Sequence, residues 1–261
     1  MQKSKIWIEE IAKYEGQEVE LNGWLYNKRS SGKIAFLIIR DGTGFIQVIA
    51  AKNELATSVF ELCDTIPQES SIIIKGKVRK EDRAPGGYEI DLKNIKVVNL
   101  AQPYPISKKS HGIDFLLSNR HLWLRSRRPF AVIKIRAEVI GAIEDFFNSH
   151  GFTRLDAPIF TPSACEGTST LFEVPYFGQK AYLSQSGQLY GEAGCMAFGK
   201  IYTFGPTFRA EASKTRRHLT EFWQIEPEIA YATLDDIMEL AEDLISSVVQ
   251  RVIAQDRKSV V

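Results

Sequence analysis

The stretch YTFGPTFRAEASKTRRHLTEFWQIEPEIAY, Tyr202 to Tyr231, decides how the rest of the chain is read. Two runs alternate aromatic and aliphatic residues with polar ones, the pattern of half-buried strands. Between them lie Arg209, Lys214, Arg216, Arg217 and His218. Charge at a hairpin tip is ordinarily just solvated. Here Arg209 sits inside the first run, directly after Phe208 and ahead of Ala210-Glu211, and Glu221-Phe222 mirrors it across the turn. An arginine, two carboxylates and an aromatic ring on one sheet face suit a nucleotide. The guanidinium grips a phosphate, the carboxylates accept from amino groups, and the ring stacks on a base.

Upstream of the hairpin, Val132, Ile135, Val139, Ile143 and Phe146 recur at helical spacing from Phe130, and Gly151 stops the helix after His150. The segment FTRLDAPIF predicts a strand. An irregular loop (Thr161–Thr170), a short strand around Ala181–Ser184 and a small-residue helix, SGQLYGEAGCMAFG, follow. Downstream, Thr233 and Asp236 form a capping box with Asp in place of Glu. They open an amphipathic helix through Ile237, Leu240, Leu244 and Val248.

Residues 1–101 read differently. Short runs rich in β-branched and aromatic residues are separated by the turn signals Ser30-Ser31-Gly32, Asp41-Gly42-Thr43-Gly44 and Pro85-Gly86-Gly87, and a helix is expected at ELATSVFELCD. About five strands in that span predict an all-β barrel of the OB type. Residues 102–129, with the prolines of QPYPISKKSHG and the basic SNRHLWLRSRRPF, read as a hinge ending at Pro129, and residues 130–261 as a second, α+β domain.

In the 261 residues, 44% are hydrophobic and 25% charged, the balance of a globular protein with a core, and the net charge of +1 gives no global attraction to nucleic acid or membrane. Any polyanion site has to come from local clustering. The three cysteines, Cys63, Cys165 and Cys195, are widely spaced and fit no metal-ligand pattern, which predicts reduced thiols and a cytoplasmic protein. No run is long enough to span a membrane.

FRAE followed by RHLTEFWQIEPE resembles motif 2 of the class II aminoacyl-tRNA synthetases. The helix–strand unit ending in GFTRLDAPIF, with Pro158, is similar to motif 1, the dimer-forming element. An OB barrel hinged to such a domain is the layout of the aspartate/asparagine/lysine subgroup, and YTFGPTFRAE, SQSGQLYGEA and CEGTSTLFEV resemble its asparaginyl members most. The resemblance implies an antiparallel catalytic sheet with flanking helices and ATP as a substrate. Arg209 would hold the α-phosphate and the substrate carboxylate. Glu211, Arg217 and His218 would lie about the triphosphate, Phe222 would stack on adenine and Glu221 would meet its edge. In-line attack of a carboxylate on the α-phosphorus needs no side-chain nucleophile, only positioning and charge neutralisation by Arg209 and Mg²⁺.

For the amino acid, the resemblance implies Glu166 against the α-ammonium group, with Ser184, Gln185 and Gln188 as the pocket floor. Gly191 stands where aspartyl enzymes carry a lysine, and Glu226 would accept from an amide and repel an acid. Asparagine is the substrate so implied; an aspartyl or dual-specificity enzyme and a non-catalytic tRNA-binding paralogue are the alternatives. Glu228 is implied near the nucleotide and metal. On the barrel, Arg29, Phe36 and Gln47 match the anticodon-reading face, with Glu89 as a further candidate, so tRNA(Asn) is the expected partner and a homodimer the expected assembly. The chain ends at Val261 without a GxGxER-like stretch, so motif 3 and the main Mg²⁺ ligands are absent from this sequence. The catalytic domain is expected to be incomplete and the chain alone not to form the adenylate.

Overall fold

The computed structural model describes residues 6–107, 109–165, 171–212, 215 and 217–256, and the chain divides into two compact units, residues 1–125 and 126–261.

The first unit is built on a closed five-stranded barrel in the order β1-β2-β3-β5-β4. Its strands are β1 (Glu18–Ser31), β2 (Ile34–Arg40), β3 (Phe45–Ala51), β4 (Ser71–Lys80) and β5 (Tyr88–Asn99). Strict alternation sends Leu21, Leu25, Leu37, Ile39, Val48, Ile74 and Ile90 inward, all 0% exposed. The same alternation turns Phe36 and Ile38 to the outer surface, where both remain half-buried. A 3-10 turn over Ile8–Tyr14 and helix α1 (Thr57–Thr65) close the barrel with Ile8, Ile11, Phe60 and Cys63. Asp41 organises the β2–β3 turn by accepting from Thr43 N at 2.8 Å and from Ile8 N at 2.6 Å. Gly76 lies at a register shift in β4 because the barrel wall leaves no room there. A Cβ at that position would stand 2.3 Å from the Asp91 carbonyl oxygen.

The segment read as a hinge contains two short helices, α2 (Ile113–Ser118) and α3 (Arg120–Trp123). Helix α4 (Arg127–Ser149) then begins two residues before Pro129. Proline is tolerated in a first helical turn, where amide donors lack intrahelical partners in any case. Arg125 closes the first unit by pairing with Glu69 at 2.9 Å, beside the Arg40–Glu69 pair.

In the second unit the expected FTRLDAPIF strand is two fragments, β6 (Thr153–Arg154) and β7 (Phe160–Thr161). They join different sheets: β6 runs parallel to β10 (Lys200–Phe208), whereas β7 pairs with β9 (Gln179–Leu183). Asp156 and Pro158 lie in the crossing, where a residue without an N–H cannot hold a ladder. A strand that the sequence reading missed, β8 (Glu173–Tyr176), forms a hairpin with β9 through Phe177 and Gly178. Both turn residues have positive φ, 46° and 83°, as a tight two-residue turn requires.

Sheet β11-β10-β6, with β11 (Glu221–Ile229) at its edge, carries the core of this unit. Phe146, Phe147 and Phe152 pack with Tyr202 and Phe204, and the Phe147 and Tyr202 rings stack at 4.8 Å. Helix α6 (Leu234–Asp256) lays Leu240 and Leu244 against that cluster, and Arg251 fastens α6 to Glu138 and Asp145 of α4. The capping pair is present, with Asp236 Oδ2 accepting from Thr233 N and Oγ1, each at 2.7 Å. Among the described residues no helix is long and apolar enough to cross a membrane.

Candidate functional site

Strands β10 and β11 pair antiparallel over their full length, with Thr207 opposite Phe222 and Phe208 opposite Glu221. Arg209 continues that ladder: its N–H donates to the Thr220 carbonyl at 3.0 Å, fixing the backbone from which its side chain springs. The guanidinium lies 5.7 Å from the centroid of the Phe222 ring. Cation and aromatic ring therefore sit together at the loop end of the hairpin, where a phosphate and a base of one nucleotide can be held together. Glu211, Arg217, His218 and Glu221 are exposed around that end, and the His218 imidazole is tied to the Thr215 hydroxyl.

Helix α5 (Gln188–Phe198) starts against the same sheet, with the Gly187 N–H before it donating to Glu226 of β11. It approaches closely because its inner face is glycine. A Cβ at Gly187 would lie 2.5 Å from Thr203 Oγ1, and one at Gly194 2.6 Å from Leu155. Gly191 belongs to this face: a Cβ there would stand 3.2 Å from Glu228 Cγ and 3.5 Å from Ile201. A long side chain at position 191 would thus run beside Glu228.

Ser184 and Gln185 are buried, at 8% and 2% exposure, in the approach to α5. Ser184 is tied to the hairpin: Phe208 N donates to its carbonyl at 2.9 Å, and its hydroxyl donates to Ser186 O at 2.7 Å. Gln188, expected on the floor with them, is instead exposed on the rim. Its Nε2 donates to Glu192 at 2.8 Å and its Oε1 accepts from Cys165 Sγ at 3.4 Å. Glu166 lies outside the described residues.

Glu226 is held by three donors. Its carboxylate accepts from the Ser186 hydroxyl, from Gly187 N at 2.8 Å and from Thr203 Oγ1 at 2.9 Å. It therefore bolts the start of α5 to β10. Ser186 and Thr203 were not singled out from sequence; the only trace is their alternation with Gln185 and Phe204, which is shared by every strand and turn residue nearby. Glu228, opposite Ile201, has its carboxyl pushed above the usual range by burial, and the Glu192 and Glu226 carboxylates add to the effect. Among the described residues no group of three His, Cys, Asp or Glu side chains is placed to hold a metal ion.

On the barrel, β1 pairs Arg29 with Phe36 of β2, and β2 pairs Ile38 with Gln47 of β3. These residues line a depression of about 260 Å³ together with Asn27 and Lys28. The Arg29 guanidinium stands 4.6 Å above the Phe36 ring. All three side chains expected to read a base are thus gathered on one face, with an aromatic platform and polar groups at its margin. Glu89, 2% exposed, adjoins them by accepting from Gln47 Nε2 at 2.9 Å.

The closed five-stranded barrel and the helix-flanked β10–β11 hairpin define an OB-fold domain and a class II synthetase catalytic fold. Residues 19–98 match the family described as "OB-fold nucleic acid binding domain", and residues 112–260 match "tRNA synthetases class II (D, K and N)". The chain belongs to the class II tRNA synthetases of the D, K and N group. Asparagine--tRNA ligase of Thermus thermophilus is 58% identical over 251 residues, spanning 95% of this chain and 57% of that protein. The Koribacter versatilis enzyme of the same name is 56% identical over 96% of this chain and 57% of its own length. Among solved structures, asparaginyl-tRNA synthetase from Pyrococcus horikoshii complexed with asparaginyl-adenylate superimposes with a TM-score of 0.92 at 38% identity, covering 99% of this chain and 60% of that one. The chain thus spans well under two thirds of the length of these relatives.

Proposed function

We propose that this chain carries the anticodon-reading barrel and the nucleotide platform of an asparagine–tRNA ligase, which activates asparagine with ATP and transfers it to tRNA(Asn). The observation that carries the reading is the Arg209–Phe222 pairing at the end of β10–β11, a phosphate-binding cation 5.7 Å from a base-stacking ring. Asparagine-ligase relatives at 58% and 56% identity along almost the whole chain support the choice of amino acid.

Within this proposal residues 1–101 bind the anticodon loop through Arg29, Phe36 and Gln47, residues 102–129 connect, and residues 130–261 hold ATP and asparagine. Arg209 bridges the α-phosphate and the asparagine carboxylate, neutralising the charge that builds as the carboxylate oxygen attacks phosphorus and pyrophosphate departs. Glu211, Arg217, His218 and Glu221 surround the triphosphate and adenine. Ser184, Gln185, Gln188 and Glu166 form the amino-acid side. Gly191 supports an amide over an acid, because it supplies no cation to a β-carboxylate while the Glu228 side chain runs beside that position and Glu226 lies against Gly187 at the start of the same helix. Val132 and Ile133 of α4, 55% and 51% exposed, support a homodimer formed through the motif 1 region, and a cytoplasmic location belongs to the same reading.

The test is pyrophosphate exchange into ATP by a chimera in which this chain is completed with the portion of the Thermus relative that it does not span. Exchange that depends on asparagine is expected. Exchange that depends on aspartate alone would overturn the assignment.

A further inference from the structure

The stretch from Ala101 to Arg125, most of it read from sequence as a hinge, is fastened to the barrel at both ends, and both fastenings fall on the loop between α1 and β4. At its start Ala101 N donates to Ser70 Oγ at 3.0 Å. At its end Arg125 Nη1 donates to Glu69 Oε2 at 2.9 Å. Between them the stretch closes on itself: Tyr104 OH donates to the Leu122 carbonyl at 2.9 Å, and the Arg125 guanidinium lies 6.0 Å from the Tyr104 ring. Helix α4 begins at Arg127, so with both ends held the free chain between the two compact units shrinks to the neighbourhood of Ser126.

Glu69 is the wrong residue for its backbone and the right one for this fastening. Its φ of 69° lies in the left-handed region, which suits glycine and strains a residue with a Cβ. The conformation is enforced locally, with Glu69 N donating to the Leu25 carbonyl at 2.7 Å and Ser70 N to the Pro67 carbonyl at 3.2 Å. What a glutamate brings there is its carboxylate. That side chain is 2% exposed and is gripped by Arg40 through Nη2, with Arg40 Nε at 3.4 Å, as well as by Arg125. Arg40 lies over the Trp24 ring at 4.8 Å and so belongs to the barrel wall, whereas Arg125 is brought in by the stretch itself.

We propose that Glu69 is the pin of a strap: its pair with Arg125 holds residues 101–125 against the barrel, and opening that pair turns a short joint at Ser126 into a tether that starts at Ala101. A flexible tether over those 25 residues has an r.m.s. span of roughly 25–30 Å. Arg40 keeps its place on Trp24 when the strap opens, and Arg125 reaches solvent, so the barrel itself stays closed. A ligand that engages both units, as tRNA does in the reading above, gains from the short joint, because effective concentration falls as a linker lengthens. That consequence rests on the proposed function; the pin does not.

The experiment uses the whole 261-residue chain and reads hydrogen exchange by mass spectrometry beside small-angle X-ray scattering. Two variants open the pin from opposite sides: Glu69→Gly, which the left-handed backbone accepts, and Arg125→Ala, which leaves the loop untouched. Glu20→Ala, which removes an exposed barrel pair with Lys75, is the control. In both pin variants, peptides covering residues 101–125 are expected to exchange about tenfold faster or more, the scale of one lost charge-assisted hydrogen bond. Strands β1–β5 are expected to keep their protection and the radius of gyration to rise, while the control changes neither. Arg125→Lys, which returns a cation to Glu69, is expected to recover part of the protection. Unchanged exchange over residues 101–125 in both pin variants overturns the proposal. Faster exchange there with unchanged scattering overturns it too, since no tether has been released. Where Glu69→Gly also loosens the barrel, Arg125→Ala decides: loss of barrel protection in that variant makes the pair part of the barrel's own stability and overturns the strap.

Discussion

Replacing Glu226 probes the joint between helix α5 and the β10–β11 hairpin. Its carboxylate receives the Ser186 hydroxyl, Gly187 N–H and Thr203 hydroxyl, and Thr203 and Ser186 are only 4% and 7% exposed. Hydrogen bonds to a charged acceptor are worth roughly 1.5–3 kcal/mol each, but three that share one carboxylate do not add. In Glu226→Ala the two hydroxyls can rotate towards other acceptors, whereas the Gly187 amide cannot. A net loss of about 3 kcal/mol follows. Glu226→Gln keeps one oxygen for Gly187 and Thr203 and can donate to Ser186 with its NH₂, so it loses only the charge assistance, about 1 kcal/mol. Hydrogen exchange followed by mass spectrometry reads this locally. At about 1.4 kcal/mol per factor of ten, the alanine variant should exchange roughly 150-fold faster in peptides covering the first turn of α5 and strand β10. The glutamine variant should show about a fivefold change, and barrel peptides, which belong to the other compact unit, should not change. Equal damage from both substitutions, or none from alanine, would refute a hydrogen-bonded joint.

Other outcomes follow from the same structure. Asp236 has its carboxyl held below the ordinary value of 3.8 by the Thr233 hydroxyl and then by the Thr233 amide. A depressed carboxyl stabilises above its unfolded value, and that contribution is lost as pH falls through the lower folded value. The first turn of α6 should therefore keep its exchange protection at pH 5 and lose it in strong acid, with Asp236→Asn unprotected at both. Burial pushes the Cys63 thiol up to about 11, and Cys195 is 8% exposed, so at pH 8 a disulfide reagent should titrate Cys165 alone until the chain is unfolded. On the proposed nucleotide platform, Phe222→Ala should weaken binding of ATP by roughly tenfold or more in equilibrium dialysis, on the scale of one lost base-stacking contact. Phe222→Trp should preserve it.

The hairpin and the barrel were legible because one side of each sheet is buried, and alternation then writes the strand directly into the sequence. Phe36 shows how far that goes: its neighbours Ala35 and Leu37 fill the core, so the pattern alone puts it outside. Strand β8 was not legible. Its four residues include Pro175 and only a half-buried Val174, leaving the Phe177-Gly178 turn as the sole local signal. The FTRLDAPIF segment was read as one strand because its apolar residues do not reveal that Pro158 hands the chain from one sheet to another. Side chains gathered by register were out of reach for a different reason. Glu226 meets Ser186 and Gly187 across 40 and 39 residues, and Gln47 meets Glu89 across 42, so only the relative placement of the elements makes them neighbours.

The most direct test is a competition titration of the chain with non-hydrolysable sulfamoyl analogues of asparaginyl- and aspartyl-adenylate, each against Arg209→Ala as a control. Preference for the asparaginyl analogue by about tenfold or more, abolished in the variant, is the expected result. Tighter binding of the aspartyl analogue, or binding indifferent to Arg209, would contradict the account.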